Sequence, residues 1–162
     1  MKTATLAIVT REHQGKEQVL LGLKQGGSEI GDGTLNGPGG KLEPGETILG
    51  CLLREVEEEV CLILDPRTVE KCAIITFYFG EVPQPGFEVH VYRTKSFVGE
   101  PQETKSMKPN WFDIDVLPIE RMLESDKTWF PKLIRGEKFN ANVYYREKAK
   151  GFIRTESLPF TG

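Results

Sequence analysis

Four glutamates lie almost side by side in the stretch GGKLEPGETILGCLLREVEEEV, which runs from residue 39 to residue 60: Glu55, Glu57, Glu58 and Glu59. On a helix, like charges three or four residues apart repel each other by roughly 0.2–0.5 kcal/mol per pair. Two interpretations are open. The run is either a solvated acidic face, as most charge runs are, or a set of carboxylates that converge on a cation.

The apolar residues of this stretch recur at helical spacing, which predicts a helix over residues 47–60 with Thr47 as its N-cap. The stripe consists of Leu49, Leu52, Leu53, Val56 and Val60. At about 100° per residue, Glu55, Glu58 and Glu59 fall within an arc of roughly 100° beside that stripe. Such a helix packs one side into the core and presents three carboxylates at its edge, which suits a hard divalent cation such as Mg²⁺ or Mn²⁺.

A glycine-rich segment precedes the glutamates. Residues 25–40 contain seven glycines and no hydrophobic periodicity, which predicts a long loop, and long loops inside compact domains are usually functional. Lys41 follows Gly39 and Gly40, and a closely approaching backbone with a nearby lysine suits phosphate oxygens. This combination favours a metal and phosphate site over a solvated face. The same combination argues against a purely structural Ca²⁺ site. Metal dependence of activity would distinguish a structural site from a catalytic one.

Composition places the chain among ordinary globular proteins. It has 162 residues, 38% hydrophobic and 28% charged, with a net charge of −3. We therefore expect one domain over residues 1–162, no nucleic-acid polymer as partner and no membrane association, because there is no basic excess and no apolar run of about 18 residues. Three cysteines without metal-ligand spacing indicate reduced thiols in a cytoplasmic protein.

The remaining pattern predicts an α+β fold in which strands lie on both sides of the glutamate helix. The first two strands and the last two are expected to form hairpins, and residues 81–86 a turn. Strands are predicted at residues 3–10, 18–23, 72–79, 88–98, 111–115, 138–146 and 151–156. Further helices are predicted at residues 118–123 and 126–136, the second ending at Gly136.

The glutamate stretch resembles the signature of the Nudix hydrolase family, G-x5-E-x7-R-E-U-x-E-E-x-G-U with U aliphatic. The matching residues are Gly40, Glu46, Arg54, Glu55, Val56, Glu58, Glu59 and Leu62. Cys61 stands where the family has a glycine, a departure that concerns the end of the helix more than the chemistry. The resemblance implies an α/β/α sandwich around a mixed β-sheet and Mg²⁺-dependent hydrolysis of a nucleoside diphosphate linked to another group.

The resemblance also implies roles for individual residues. The metal ligands would be Gly39, through its carbonyl, and Glu55, Glu58 and Glu59. Arg54 and Glu46 would brace these glutamates as part of the catalytic group, and Lys41 would lie near the substrate phosphates. The metal would activate a water molecule and neutralise charge on the leaving phosphate.

The rest of the chain resembles the MutT-homologue branch, the oxidised purine nucleoside triphosphate hydrolases of animals. The stretches that carry this resemblance are LLGLK, LNGPGGK, ITFYF, VHVYRT, MKPNWF and WFPKLIRGEKF. It implies a monomeric enzyme of nucleotide-pool sanitation with a purine pocket. The pocket residues would be Thr5, Asn36, Phe77, Phe79, Met107, Asp126 and Trp129. From residue type alone, the aromatics and the methionine are more typical of a core, and the asparagine of a turn.

Three departures from the branch affect the predicted pocket. Ser125 precedes Asp126 where the branch has a pair of aspartates, so preference for 8-oxoguanine is open. Leu123 replaces a pocket tryptophan, and Ser106 replaces a loop glutamate for which Glu103 would be the nearest substitute.

Two other functions remain as alternatives. One is hydrolysis of ADP-ribose, a dinucleoside polyphosphate or a cap-like compound, for which the sequence has no clear signature. The other is a nucleotide-binding module without turnover, which the presence of Glu55, Glu58 and Glu59 disfavours.

Overall fold

A computed structural model describes residues 1–27, 30–148 and 150–162; Ser28 and Glu29 of the predicted loop lie outside the described residues. The strands of the described part are β1 Lys2–His13, β2 Lys16–Lys24, β3 Leu35–Asn36, β4 Ile63–Leu64, β5 Glu70–Phe79, β6 Gln84–Thr94, β7 Phe97–Val98, β8 Met107–Asp113, β9 Asn140–Glu147 and β10 Lys150–Leu158. The α-helices are α1 Ile48–Val60 and α2 Asp126–Ile134.

Among the described residues, eight strands form one mixed sheet in the order β10-β9-β5-β6-β1-β2-β3, with β8 also paired to β2. The pairs β1–β6 and β5–β9 are parallel, and the others are antiparallel. Both predicted hairpins, β1–β2 and β9–β10, are confirmed.

The two helices cover opposite faces of this sheet, as the alternation along β1 shows. Leu6 and Ile8 belong to the apolar cluster that contains α2, whereas Ala7 and Val9 belong to the cluster that contains α1. Successive side chains of a strand point to opposite faces, so one strand supplies both cores. The α+β sandwich around a mixed sheet is confirmed.

Helix α1 begins and ends at the predicted positions. The Thr47 hydroxyl accepts the Gly50 N–H at 3.0 Å, which is the contact of an N-cap. Cys61 follows the last turn in the left-handed region, with φ of 63°, and its N–H donates to the Glu57 carbonyl. The chain therefore makes the turn that the family's glycine would make, but with a side chain attached.

The strand predicted over residues 88–98 is wrong at both ends. β6 begins at Gln84, inside the predicted turn, and ends at Thr94. Phe97–Val98 instead pairs with Ile63–Leu64 in a separate small sheet. Strands of two residues leave no alternation to recognise, which is why β4 and β7 are missed.

The segment before α2 also differs from expectation. The strand predicted at residues 111–115 is Met107–Asp113, and the helix predicted at 118–123 is a single 3-10 turn at Ile119–Arg121. Gly136, with φ of 101°, follows α2 as predicted. Within the described part of the chain, no helix is long and apolar enough to cross a membrane.

Candidate active site

A cavity of about 400 Å³ opens between the glycine-rich loop, α1 and the start of α2. It brings together nine of the residues singled out in the sequence: Thr5, Asn36, Gly39, Lys41, Glu55, Glu59, Phe77, Asp126 and Trp129. The side lined by Glu55 and Glu59 is called the carboxylate end below, together with Glu58, which lies outside the cavity wall and shares Arg54 with Glu55. The side with Asp126 and Trp129 is called the α2 end.

The glycine-rich loop lies directly on strand β1. The Ala7 N–H donates to the Pro38 carbonyl and the Thr5 N–H to the Gly40 carbonyl, each at 2.8 Å. A Cβ on Gly39 would collide with the carbonyl oxygen of Thr5. The loop therefore needs glycine here because its backbone is held against a strand.

Arg54 organises the carboxylate end. Its guanidinium donates to Glu46 at 2.6 Å, to Glu55 at 2.7 Å and to Glu58 at 3.1 Å. The hydrogen bond from Arg54 lowers the pKa of Glu46 to about 2. Gly40 completes the packing, because a Cβ there would collide with the Glu55 carboxylate. Arg54 thus offsets part of the repulsion among the glutamates and fixes their positions.

Glu59 is the buried member of the carboxylate end. It accepts the Gly39 N–H at 2.7 Å, which ties α1 to the glycine-rich loop. Burial raises the pKa of Glu59 to about 7; the Gly39 N–H opposes that rise, the charge of Glu55 adds to it, and the charge of Lys24 opposes it. A positive charge placed beside Glu59 would stabilise its ionised form, which burial disfavours.

The carboxylate end fits a divalent cation by its chemistry. In the described residues, no three His, Cys, Asp or Glu side chains are already gathered as a metal site, and Arg54 donates to both Glu55 and Glu58. The donors present are carboxylate and backbone oxygens, the ligands that Mg²⁺ and Mn²⁺ prefer. Glu55 and Glu59 share the cavity wall, and both would be relieved of repulsion by a cation.

The α2 end presents buried polar atoms without partners. Asp126 and Trp129 line the cavity, and within the described part of the chain the Asp126 Oδ2 and Trp129 Nε1 atoms have no hydrogen-bond partner. Burial raises the pKa of Asp126 to about 7, against the Ser125 hydroxyl and the charge of Lys24, which lower it. Buried polar atoms without hydrogen-bond partners cost free energy. A ligand that supplies those partners therefore gains affinity and selectivity.

Asn36, Phe77 and Lys41 complete the predicted wall. The Asn36 side chain accepts the Gly37 N–H at 2.9 Å, so it serves as a turn residue and as a wall residue at once. Lys41 Nζ lies 6.0 Å from the centre of the Phe87 ring, which is a cavity residue that the sequence did not indicate. Phe77 lies on β5 and is mostly buried.

The structure places Met107 and Phe79 outside the cavity wall. Met107 is fully buried in the α1 cluster, where it packs on Gly22. Phe79 packs behind the wall, with its ring centre 6.3 Å from that of Phe87 and 6.4 Å from that of Tyr145. The predicted contact of these two side chains with a ligand is not supported by their positions: Met107 lies on the α1 face of the sheet, and Phe79, on the same face as Phe77, packs against Phe87 and Tyr145 at the end of β5.

Thr5 lines the cavity, but its hydroxyl is engaged elsewhere. It lies 3.4 Å from the Gly40 carbonyl, to which it donates, and 3.5 Å from the Cys51 sulfur. The side chain therefore supports the glycine-rich loop from the α1 side of the sheet.

Lys24 is a cavity residue that the sequence interpretation missed. It lines the wall, donates to the Ile30 carbonyl at 3.1 Å, and its charge acts on both Glu59 and Asp126. Its place at the end of the LLGLK strand, just before the glycine-rich loop, was the available indication.

The three departures noted in the sequence fall at or near the cavity. Leu123 and Ser106 line it. Glu103 is exposed and accepts from the Gln25 amide at 3.2 Å. It therefore holds the glycine-rich loop at its edge, and Ser106 occupies the wall.

The glycine-rich loop and the carboxylate helix α1 both lie in the part of the chain that matches a known protein family. The sequence profile of the protein family described as NUDIX domain matches residues 1–133, and the chain therefore belongs to the Nudix family. The crystal structure of a mutator MutT protein from Bacillus halodurans superimposes with a TM-score of 0.78 at 20% identity, covering 97% of both chains.

Two relatives are similar along most of the sequence. An oxidized purine nucleoside triphosphate hydrolase of Danio rerio is 40% identical over 139 residues, covering 85% of this chain and 83% of the relative. The protein of the same name from Mus musculus is 36% identical over 132 residues, covering 82% and 81%.

Proposed function

We propose that the protein hydrolyses oxidised purine nucleoside triphosphates to the monophosphate and pyrophosphate, and so sanitises the nucleotide pool, with Mg²⁺ or Mn²⁺ as cofactor. One observation carries this proposal. A single cavity of about 400 Å³ joins a carboxylate cluster to buried, unpartnered polar atoms on α2. Phosphates with their cation suit the first, and a flat base with a polar edge suits the second.

At the carboxylate end, Glu55, Glu58 and Glu59, with the Gly39 carbonyl, would hold the cation. When bound, such a cation lowers the pKa of a coordinated water and neutralises charge on phosphate oxygens. Arg54 orients Glu55 and Glu58 through its hydrogen bonds.

Glu46 and Lys41 complete the carboxylate end, the first by holding Arg54 and the second by lining the cavity. Glu46 anchors Arg54 by accepting two hydrogen bonds from its guanidinium, at 2.6 and 2.9 Å. Lys41, at the same wall of the cavity, would pair with the triphosphate.

At the α2 end, Asp126 and Asn36 would read the edge of the purine, while Trp129 and Phe77 supply apolar wall. A site built to hydrogen-bond a substrate group rejects an analogue without it, because the buried polar atoms are then left unpaired. The two relatives from Danio rerio and Mus musculus, both oxidized purine nucleoside triphosphate hydrolases by name, support the same substrate class.

The test is a product assay by HPLC with Mg²⁺, comparing 8-oxo-dGTP, 2-hydroxy-dATP, dGTP and ADP-ribose at low micromolar concentration. We expect an oxidised triphosphate to be converted to its monophosphate well ahead of dGTP, and conversion to stop with EDTA. Equal turnover of all triphosphates, or cleavage of ADP-ribose alone, would contradict the substrate assignment. Activity that survives EDTA would contradict the metal.

A further inference from the structure

The buried hydroxyl of Tyr145 makes two hydrogen bonds to Ser125, the residue that precedes α2. The Ser125 N–H donates to Tyr145 Oη at 3.0 Å, and the Tyr145 hydroxyl donates to Ser125 Oγ at 2.8 Å. Ser125 is 0% exposed and Tyr145, on β9, is 2% exposed. Main chain and side chain of one residue are thus held by one hydroxyl, and that residue is joined directly to Asp126.

The Ser125 hydroxyl does not make the hydrogen bond that a serine at a helix N-cap usually makes. A serine at a helix N-cap usually accepts a backbone N–H from the first turn. Here Ser125 occupies the N-cap position of α2 without such a bond, in a helical conformation with φ of −65° and ψ of −30°. Its hydroxyl lies instead between Tyr145 and Asp126.

The Tyr145 hydroxyl donates to the Ser125 hydroxyl, which in turn donates to Asp126. The Ser125 hydroxyl donates to Asp126 Oδ1 at 3.4 Å, which is longer than the usual 2.7–2.8 Å of such bonds, so the Tyr145–Ser125 contact is the firm part. Burial raises the pKa of Tyr145, which keeps its hydroxyl protonated as a donor at neutral pH. Oδ1 is thereby occupied, and Oδ2 is the Asp126 atom without a partner among the described residues.

We propose that Tyr145 is a positioning residue for purine recognition: through Ser125 it fixes the Asp126 carboxyl group so that Oδ2 is presented to the nucleotide base. This inference rests on the proposed function, since it takes a purine nucleotide as the occupant of the cavity. Tyr145 itself acts from behind Asp126, through Ser125.

Packing around Tyr145 supports a positioning role. The Phe79 and Phe152 rings flank it, with centre-to-centre distances of 6.4 and 5.5 Å. These contacts leave the hydroxyl little freedom, so its two hydrogen bonds are made by a preorganised group. They also give Phe79 an indirect part in the site.

The experiment is steady-state kinetics on 8-oxo-dGTP with Tyr145→Phe, which removes only the hydroxyl. The matched control is Tyr144→Phe, because Tyr144 is the neighbour on the same strand and stacks on Tyr78 at 5.0 Å. We expect KM to rise about fivefold to tenfold in Tyr145→Phe, because both hydrogen bonds that hold Ser125 are lost and Asp126 is no longer fixed, with kcat within about twofold of the wild type. Tyr144→Phe should leave both constants unchanged.

A double-mutant cycle with Ser125→Ala separates positioning from a general loss of stability. If Tyr145 acts through Ser125, the double variant should have the KM of the worse single variant, whereas independent effects would multiply. A purely structural role would instead lower kcat through the folded fraction and leave KM unchanged. Should Tyr145→Phe not fold, Ser125→Ala removes the hydrogen bond from the Tyr145 hydroxyl to Ser125 Oγ and the link onward to Asp126, and KM should rise by a similar factor.

The two proposals fail in different ways. A wild-type protein that neither hydrolyses purine triphosphates nor is stabilised by 8-oxo-dGMP in a thermal shift assay would overturn the proposed function and this inference with it. A wild-type protein that is active, with equal KM in Tyr145→Phe, Ser125→Ala and Tyr144→Phe, would overturn the positioning role alone.

Discussion

The carboxylate end of the cavity comes from one continuous stretch of chain, whereas the α2 end is collected from distant segments. Residues 39–62 contain the glycine turn, Arg54 and all the carboxylates of the signature. Asn36, Phe77 and Asp126 come instead from β3, β5 and α2. Local sequence therefore accounts for the residues of the carboxylate end, and tertiary packing for those of the α2 end.

The two ends also differ in how their charges are managed. At the carboxylate end, Arg54 satisfies Glu46, Glu55 and Glu58 with hydrogen bonds of 2.6–3.1 Å. At the α2 end, Asp126 is buried with one oxygen unpartnered among the described residues. Changes at the first end should act on kcat and changes at the second on KM, while the buried carboxyl groups of Glu59 and Asp126 give both ends a part in the pH dependence of stability.

The largest expected effect tests the carboxylate end. Glu58→Gln should lower kcat by about a thousandfold, since removal of one preorganised electrostatic group commonly costs 10²–10³. The Glu58 side chain is 61% exposed, so the nearly isosteric amide should leave the fold intact by circular dichroism. Kinetics on 8-oxo-dGTP gives the measurement.

Glu57→Gln is the matched control for this prediction. Glu57 is the exposed neighbour on the same helix and lies outside the signature, so its kcat should remain that of the wild type. Near-wild-type turnover in Glu58→Gln would remove the catalytic role assigned to α1. Equal losses in both variants would indicate that net charge, and no particular carboxylate, governs the rate.

This contrast explains what the sequence could and could not predict about the site. Within residues 39–62 the spacing along one helix fixes which carboxylates share a face, so the sequence could predict that Glu55, Glu58 and Glu59 lie at one end of the site, while their roles as metal ligands stay predictions. At the α2 end, the direction of a side chain depends on strand pairing. Met107 consequently packs on the α1 face and Phe79 at the end of β5, while Lys24, which lines the cavity, was missed.

The fold follows the same rule. Helix α1, with its cap at Thr47, and both hairpins were predicted because each is defined by local periodicity and turn chemistry. The small sheet of Ile63–Leu64 and Phe97–Val98 was not, because its strands are short and pair across a separation that sequence pattern does not report.

The second prediction concerns the α2 end and is expressed in stability. Burial raises the pKa of Asp126 to about 7 in the folded protein, whereas an aspartate in the unfolded chain titrates near 3.9. The folded state therefore holds the Asp126 proton to higher pH, so the contribution of this group to stability is present in full below about pH 4 and is lost as the pH rises through about 7. Asp126→Asn removes this dependence.

Between pH 5 and pH 8, the unfolding free energy of Asp126→Asn should gain about 2–3 kcal/mol relative to the wild type, from about two pKa units at 1.36 kcal/mol each. Urea unfolding at both pH values measures it. Glu59 titrates in the same window but is common to both proteins. Asp115→Asn, at an exposed position, should track the wild type. Parallel pH profiles for Asp126→Asn and wild type would show that Asp126 is ionised at little cost.

The smallest expected effect returns to the carboxylate end, at the residue where the chain departs from the family. Cys61 ends α1 with φ of 63°, a conformation that costs a residue with a Cβ about 1–2 kcal/mol. Cys61→Gly relieves that strain and loses about 0.5–1 kcal/mol to chain entropy, so the net gain should be about 0.5–1 kcal/mol. The thermal midpoint should rise by about 2–4 °C per kcal/mol.

Cys61→Ala is the control, because it removes the exposed thiol and keeps the Cβ in the left-handed region. It should show no gain in thermal midpoint. If both variants were stabilised equally, the thiol and not the backbone conformation would be the source. In Cys61→Gly, kcat on 8-oxo-dGTP should stay unchanged, because Glu55, Glu58 and Glu59 are positioned by Arg54 and Gly39, upstream of the residue that ends the helix.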